Sequence, residues 1–110
     1  MLIQFEDFQK VDLRIGTVVA AEDFPEARKP AIKLKIDFGP LGIKQSSAQI
    51  TKRYRPEDLI GRQVTAVVNF PPMRIAGYKS EVLILGGVPK EDDVVLLVPD
   101  EKVENGTKIS

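Results

Sequence analysis

Strand and turn signals are clearest in residues 32–70, which read IKLKIDFGPLGIKQSSAQITKRYRPEDLIGRQVTAVVNF. From Ile32 to Phe38 every second residue is apolar, and the residues between them are Lys, Lys and Asp. This period of two predicts a strand with one face buried and the other in solvent. The glycine- and proline-rich residues 39–42 predict a turn, and residues 43–50 predict the next strand.

A short helix is predicted between this strand and the following one. Pro56 stands where helices begin, Glu57 and Asp58 occupy the first turn, and Gly61 ends the helix. Apolar residues then return at every second position from Val64 to Phe70, which predicts the inner face of another strand.

The flanking segments complete a pattern of five principal strands. Leu13 to Val19 alternates as the first strand, with Gly16 marking a bulge or bend, and Val82 to Leu85 supplies the fifth. Apolar residues three apart predict a short N-terminal helix over residues 5–11. We therefore predict an all-β, five-stranded oligonucleotide/oligosaccharide-binding (OB) barrel as a single domain of residues 1–110. A β-sandwich is the alternative, which the helix between the third and fourth strands disfavours.

The C-terminal segment adds a strand extension and predicts a homodimer. Residues 94–98, VVLLV, form an unbroken apolar run, which indicates a strand that is buried on both faces. A small barrel has one interior, so the other face of this strand needs a second cover. The N-terminal helix and a second copy of the chain are the two candidates. We predict a dimer interface that includes Val94, Leu96 and Val98.

The composition excludes several kinds of chemistry. The 110 residues contain no cysteine and no histidine, which removes disulfides, thiolates, the usual general base and the commonest metal ligand. There is neither a phosphate-binding loop nor a dinucleotide-binding glycine motif. These absences predict a binding protein rather than an enzyme, with no catalytic residues, no metal and no cofactor.

Signals for membrane association are also absent from the sequence. No apolar run approaches the about 20 residues of a membrane span, and the first ten residues lack a basic leader region. We therefore predict a cytoplasmic protein without membrane insertion.

Charge is unevenly distributed, although the formal net charge is zero. Seven basic and two acidic residues lie between Lys44 and Lys79, whereas three basic and seven acidic residues follow from Ser80 onward. A basic face that binds nucleic acid gives this pattern, and ordinary solvated strands and loops give it as well.

A proline-rich loop and the polar third strand together predict a binding site. Residues 69–81, NFPPMRIAGYKSE, form a hairpin loop that is longer and stiffer than a tight turn requires. Its apolar side chains offer contact area, and nearby hydroxyls and amides can bond the backbone of an extended peptide, while Arg74 and Lys79 can hold a carboxylate. The predicted peptide-binding residues are Ser46, Ser47, Gln49, Asn69, Phe70, Pro72, Arg74, Ile75, Lys79 and Ser80. The alternatives are an exposed edge strand and a hairpin that packs only on its own barrel.

Four stretches carry a resemblance to a known family: residues 18–38, 43–51 (IKQSSAQIT), 67–72 (VVNFPP) and 75–83 (IAGYKSEVL). Together they resemble the CsaA family of bacterial export-related chaperones, which is similar to the tRNA-binding domain fused to the C terminus of some methionyl-tRNA synthetases. The resemblance spans essentially the whole chain. It implies a homodimeric OB fold that binds unfolded or precursor polypeptides in the cytoplasm.

The implied function is that of an ATP-independent chaperone for protein export, which uses a pocket beside the Asn69–Ser80 loop and has the export machinery as a partner. The alternative is tRNA binding through the basic face of the dimer. Its predicted residues are Lys44, Lys52, Arg53, Arg55, Asn69, Arg74, Lys79 and Ser80. Two departures disfavour it: the tRNA-binding relatives have Ser-x-Gly-Met where residues 80–83 read SEVL, and they tend to have a glycine where this chain has Ala48-Gln49.

Overall fold

The computed structural model describes residues 1–110 and consists of short strands and two short helices. In chain order the elements are α1 (Phe5–Gln9), β1 (Leu13–Asp23), β2 (Ile32–Asp37), β3 (Ile43–Ala48), α2 (Pro56–Leu59), β4 (Gln63–Val67), β5 (Met73–Ile75), β6 (Tyr78–Ser80), β7 (Leu83–Ile84), β8 (Gly86–Lys90), β9 (Asp93–Leu96) and β10 (Lys108–Ile109). A single 3₁₀ turn, Gly39–Leu41, joins β2 to β3.

Antiparallel strands build a nearly closed barrel. Hydrogen bonding follows the order β3-β2-β1-β4-β7, and β10 lies beside β1. The chain between β6 and β7 returns to β3, where the Glu81 N–H donates to the Gln45 carbonyl at 2.8 Å. This closure, together with α2 between β3 and β4, confirms the predicted all-β OB barrel with its short N-terminal helix.

The barrel interior is filled from several strands and from α2. The alternation predicted from Ile32 to Phe38 is confirmed, because the apolar residues of that segment are at most 1% exposed. The core cluster consists of Val18, Ile32, Leu34, Ile36, Phe38, Ile50, Leu59, Val64, Ala66, Val82 and Leu96. Leu59 is the buried residue of α2, which explains why so short a helix stays in place against the barrel.

Gly16 is required by close packing rather than by a bulge. A Cβ atom at this position would lie 2.7 Å from side-chain atoms of Ile36 and Phe38, closer than carbon atoms can approach. The bulge that the sequence placed at Gly16 lies instead between Val18 and Ala20, where the pairing of β1 with β2 shifts by one residue. This extra residue turns Val18 and Ala21 toward the core.

A second apolar layer lies outside the barrel. Strand register places four apolar residues in one row across β10, β1, β4 and β7, namely Ile109, Leu13, Val67 and Leu83. The C-terminal segment packs on the same side of β4: Thr65 Oγ1 donates to the Leu97 carbonyl at 3.0 Å, and Gln63 Nε2 donates to the Val103 carbonyl at 2.7 Å. As a result β4 is buried on both faces, although the sequence predicted only one.

The structure corrects the prediction for the C-terminal strand. The strand pairs with β8, which contains Gly86 and Gly87. Leu96 belongs to the core cluster and Val94 packs against it, so neither can form the predicted dimer interface. The physical reason is alternation, which turns Val94 and Leu96 to the same inward face of β9.

The apolar residues that remain exposed in and after β9 are the sequence neighbours of Val94 and Leu96. Val95, Leu97 and Val98 are 36%, 51% and 54% exposed. Helix α1 does not cover them, because its Phe5 and Phe8 line a cavity with Ile109 instead. The outer face of this strand is therefore exposed in the single chain, and its burial against a second copy stays a prediction.

Candidate functional site

The loop between β4 and β7 forms a hairpin with two chemically different faces. The opposed residues of β5 and β6 are Met73 with Ser80, Arg74 with Lys79, and Ile75 with Tyr78. Because side chains alternate across a strand, Arg74 and Lys79 share the solvent face while the other two pairs face the barrel. The intervening turn has positive φ at Ala76 (47°) and Gly77 (80°), a conformation that glycine adopts at low steric cost.

Polar groups of β3 fasten this hairpin to the barrel. The Ser47 N–H donates to Ser80 Oγ at 3.1 Å, and Gln45 Nε2 donates to the Lys79 carbonyl at 2.8 Å. Glu81 completes the junction, because its Oε1 accepts the Gln45 N–H at 3.1 Å. The outward side of β3 therefore bonds the chain's own hairpin, which explains its polar side chains without making it an exposed edge.

Ser46 lies on the opposite, inward side of β3. Its side chain is 1% exposed, and its Oγ donates to the Val82 carbonyl at 3.0 Å. The prediction that Ser46 contacts a peptide is therefore wrong, because alternation along β3 turns this hydroxyl into the barrel. There it satisfies a backbone acceptor that would otherwise be buried without a partner.

An open groove of about 590 Å³ lies between the hairpin and the barrel. It is lined by Ser47, Phe70, Pro71, Pro72, Met73, Ile75, Ser80, Glu81, Val82 and Leu83. Phe70 and Met73 are 52% and 65% exposed, although both are large and apolar. A concave surface with such side chains and few polar groups is typical of a binding site. The two consecutive prolines restrict the backbone, so little conformational freedom remains to be lost when a ligand binds.

The structure brings half of the predicted peptide-binding residues into this groove: Ser47, Phe70, Pro72, Ile75 and Ser80. It adds Pro71, Met73, Glu81, Val82 and Leu83. Pro71 and Met73 could have been included from their position in the same loop. Glu81 ends the same predicted loop, whereas Val82 and Leu83 lie in the segment predicted as the fifth strand, and only the barrel closure places those two in the groove.

Asn69 is a structural residue in this fold rather than a free ligand for a peptide or for tRNA. Its Oδ1 accepts the Asp12 N–H at 2.9 Å, and its Nδ2 donates to the Lys10 carbonyl at 2.7 Å. Both polar atoms of the amide are therefore used to tie the end of α1 to the end of β4. The predicted contact of Asn69 with a guest backbone is not supported by this geometry.

Three further predicted residues lie away from the groove. Gln49 lines a different cavity, together with Lys29 and Lys52. Arg74 and Lys79 are on the solvent face of the hairpin, where Arg74 Nη1 donates to the Gly77 carbonyl at 3.3 Å. A carboxylate held by these two cations would therefore lie on the opposite face of the hairpin from the groove.

Arg53 forms a close pair with a buried carboxylate. Its Nε and Nη2 donate to the two oxygens of Asp93 at 2.5 and 2.9 Å. These hydrogen bonds lower the pKa of Asp93 and raise the pKa of Arg53. Arg53 thus joins the turn before α2 to β9, and the prediction that it contacts tRNA conflicts with this use of its guanidinium.

The other basic residues predicted for tRNA binding are spread over the surface. Lys44 lies near the start of β3, Lys52 lies in the turn that follows β3, and Arg55 directly precedes α2. Arg74 and Lys79 are on the hairpin. All five are free of ion pairs with acidic residues. They are therefore available to phosphates, but they do not form one compact cluster.

The structure contains no group of three acidic side chains close enough to hold a metal ion. Neither α1 nor α2 has the length or the apolar composition needed to cross a bilayer.

A nearly closed OB barrel with an external groove defines a small binding domain of the OB class. The family described as "Putative tRNA binding domain" matches residues 13–108, and the chain belongs to this family. Methionine–tRNA ligases from Methanococcoides burtonii and Pyrococcus furiosus are 39% and 38% identical to it over 108 and 107 residues. The alignments cover 98% and 97% of this chain but only 16% and 14% of the ligases, so the chain spans a small part of these relatives.

Solved structures of similar length match the chain over nearly the whole of both chains. The chaperone CsaA from Bacillus anthracis is 70% identical with a TM-score of 0.97, and the match covers 100% of both chains. The CsaA chaperone protein from Picrophilus torridus is 51% identical with a TM-score of 0.92, over 99% of this chain and 100% of that one. A protein related to methionyl-tRNA synthetase from Pyrococcus horikoshii is 27% identical with a TM-score of 0.89, over 100% and 99%. The resemblance predicted from the sequence is thereby confirmed.

Proposed function

We propose that the protein is an ATP-independent chaperone that binds unfolded or precursor polypeptides in the groove beside the β5–β6 hairpin. The single observation that carries this proposal is the apolar groove itself, with Phe70 and Met73 exposed at its surface. The similarity to two solved CsaA chaperones over their full lengths supports it. A cytoplasmic location, a role in protein export and contact with an export machinery are parts of the same proposal.

The groove suits extended segments of varied sequence. Apolar side chains supply contact area without directional demands, and the flexible thioether of Met73 adapts to different shapes. The hydroxyls of Ser47 and Ser80 at the groove can bond the backbone of a guest, which is common to all polypeptides. Such a site binds by shape and apolar contact rather than by chemistry on the guest, so we propose that the protein is not an enzyme.

tRNA binding is the second candidate, and the family match supports it directly. The free cations Lys44, Lys52, Arg55, Arg74 and Lys79 would provide phosphate contacts. Their spread favours backbone contacts with a large nucleic acid over a pocket for a single base. This function uses the solvent face of the hairpin, whereas peptide binding uses its other face.

A second copy of this chain is a further proposed partner. Two groups among the exposed apolar residues outside the groove are candidates for this contact: the N-terminal segment with Met1, Leu2, Ile3 and Phe5, and the end of β9 with Val95, Leu97 and Val98. These two groups replace Val94 and Leu96 as the candidate interface, because Val94 and Leu96 face the core. Exposed apolar surface of this kind is covered in a homodimer at a gain in free energy.

Two adjacent variants separate the peptide and tRNA functions. Met73→Ser changes the groove face of β5, and Arg74→Ala changes its solvent face. Because both residues are exposed, we expect both variants to fold. Binding of a fluorescent unfolded precursor peptide and of bulk tRNA is measured at about 50 and about 200 mM salt, a range over which phosphate contacts weaken steeply. We expect Met73→Ser to weaken peptide binding roughly tenfold with little salt dependence.

Arg74→Ala is the matched control, which should leave peptide binding unchanged and weaken tRNA binding at low salt. Tight tRNA binding at the higher salt together with no peptide binding would reverse the ranking of the two functions. Equal losses of peptide binding in both variants would contradict the assignment of the groove.

A further inference from the structure

Lys33 occupies a cage of aromatic rings and one carboxylate. Its Nζ lies 5.3 Å from the ring centroid of Phe24 and 5.4 Å from that of Tyr78, and 3.1 Å from Glu22 Oε1. Both ring distances fall within the about 6 Å over which an ammonium is attracted to an aromatic face. The Lys33 side chain is 23% exposed, whereas Lys35, two residues further along β2, is in solvent.

The cage joins three separate parts of the chain. Glu22 is at the end of β1, directly opposite Lys33 of β2, and Phe24 follows β1. Tyr78 is the first residue of β6 in the hairpin. It contacts Phe24 edge to face with ring centroids 5.5 Å apart, and its hydroxyl donates to the Leu34 carbonyl at a long 3.3 Å. Neither contact is strong by itself, so the ammonium between the two rings is a substantial part of this attachment.

Tyr78 is connected to the groove through the register of the hairpin. It lies directly opposite Ile75, and Ile75 together with Met73 lines the groove. Any movement of the Tyr78 ring away from the barrel therefore changes the position of this wall. Burial raises the pKa of the Tyr78 hydroxyl, and the charges of Glu22 and Glu81 raise it further, so the phenol remains a neutral donor.

We propose that Lys33 is a positioning residue, which holds the β5–β6 hairpin against the barrel through Tyr78 and so keeps the groove open. The effect of Lys33 on ligand binding rests on the proposed peptide function. Its effect on the attachment of the hairpin does not, because that attachment is a property of the chain alone. Loss of the ammonium removes the attraction to both rings. It also leaves the Glu22 carboxylate without the partner of its ion pair.

The test compares Lys33→Gln with the matched control Lys35→Gln, which removes the same charge from the same side of β2. Hydrogen exchange measured by mass spectrometry reports on residues 73–80, and residues 63–67 of β4 serve as an internal reference for global unfolding. We expect Lys33→Gln to speed exchange in residues 73–80 alone and to weaken peptide binding roughly three- to tenfold. Lys33→Arg keeps a cation over the rings and should restore both properties.

The outcomes distinguish the attachment from the ligand. Unchanged exchange in residues 73–80 of Lys33→Gln overturns the proposal, whatever happens to peptide binding. Equal weakening of peptide binding by Lys33→Gln and Lys35→Gln also overturns it, because that result indicates a general charge effect. If Lys33→Gln speeds local exchange but the wild-type protein binds no peptide, the attachment by Lys33 is supported and the proposed peptide function is contradicted. In a Tyr78→Leu background, Lys33→Gln should have no further effect on exchange.

Discussion

Ser46 and Ser47 are adjacent and chemically identical, yet they face opposite sides of β3. Ser46 is enclosed by the core and bonds the Val82 carbonyl, whereas Ser47 lies at the groove and bonds the hairpin through its backbone N–H. Asn69 is another polar residue that the sequence predicted to contact a ligand. In the fold its side-chain amide bonds the backbone of the chain itself, at Asp12 and Lys10. Polar residue types identify atoms that need partners, and the fold determines whether the partner is a ligand or the chain itself.

At the residue scale, we predict that Ser46→Ala and Ser47→Ala separate stability from binding. Ser46→Ala leaves the buried Val82 carbonyl without its partner and should lower the free energy of unfolding by about 1–3 kcal/mol, with peptide binding unchanged. Ser47→Ala should change stability by less than about 0.5 kcal/mol, because its hydroxyl makes no hydrogen bond in the fold. Urea denaturation followed by circular dichroism measures both values. A stability loss for Ser47→Ala that equals the loss for Ser46→Ala would contradict the placement of the two side chains.

The elements of the barrel are held by contacts between segments that are distant in sequence. The β5–β6 hairpin is attached by Gln45 and Ser47 of β3, and the β8–β9 hairpin is attached by the pair of Arg53 and Asp93. Asp93 is 5% exposed, so its charge would be costly without the guanidinium. Each hairpin is too short to be stable by itself, and its position depends on these few polar contacts.

At the element scale, the Arg53–Asp93 pair predicts a dependence of stability on pH. Because hydrogen bonding from Arg53 lowers the folded-state pKa of Asp93 below its usual 3.8, the unfolded chain takes up the proton first as pH falls. The stabilisation is therefore present above the usual pKa and is lost as pH falls through the lower folded value. Asp93→Asn should lower the urea midpoint at about pH 7, and its difference from wild type should shrink below about pH 4.

The control for this prediction is Glu91→Gln, which removes a carboxylate from the exposed turn of the same hairpin. It should leave the urea midpoint nearly unchanged at every pH. A difference between Asp93→Asn and wild type that persists undiminished at about pH 3 would mean that the ion pair is not its source.

The whole molecule has more exposed apolar surface than its barrel requires. The groove accounts for one region, and the N-terminal segment and the end of β9 account for two others. The row formed by Ile109, Leu13, Val67 and Leu83 lies outside the barrel and ends in the exposed Leu83. Surfaces of this kind on a small domain are typical of contact with another protein, and a second copy is the partner proposed here.

At the scale of the molecule, we predict a homodimer with twice the 12.2 kDa mass of one chain in light scattering. Phe5→Asp and Leu97→Asp place a charge at exposed apolar positions and should yield folded monomers, because a buried unpaired charge disrupts an interface. Val19→Asp changes an exposed valine on β1 and should remain dimeric. A monomeric wild type would rule out the dimer, and unchanged dimers of both Phe5→Asp and Leu97→Asp would rule out these two segments as its interface.

The alternation of apolar residues by itself determined most of the barrel. The strand from Ile32 to Phe38 and the short helix at Pro56 could be predicted because both depend on local periodicity and backbone preference. The same patterns could not identify the inward face of β9 or the partners of Ser46, since a register shift or a returning segment changes which side of a strand is buried. Only the tertiary structure decided that Phe70, Met73 and Leu83 share a groove. These residues come together because the segment between β6 and β7 returns to β3 and closes the barrel, a contact between distant segments that no local sequence pattern specifies.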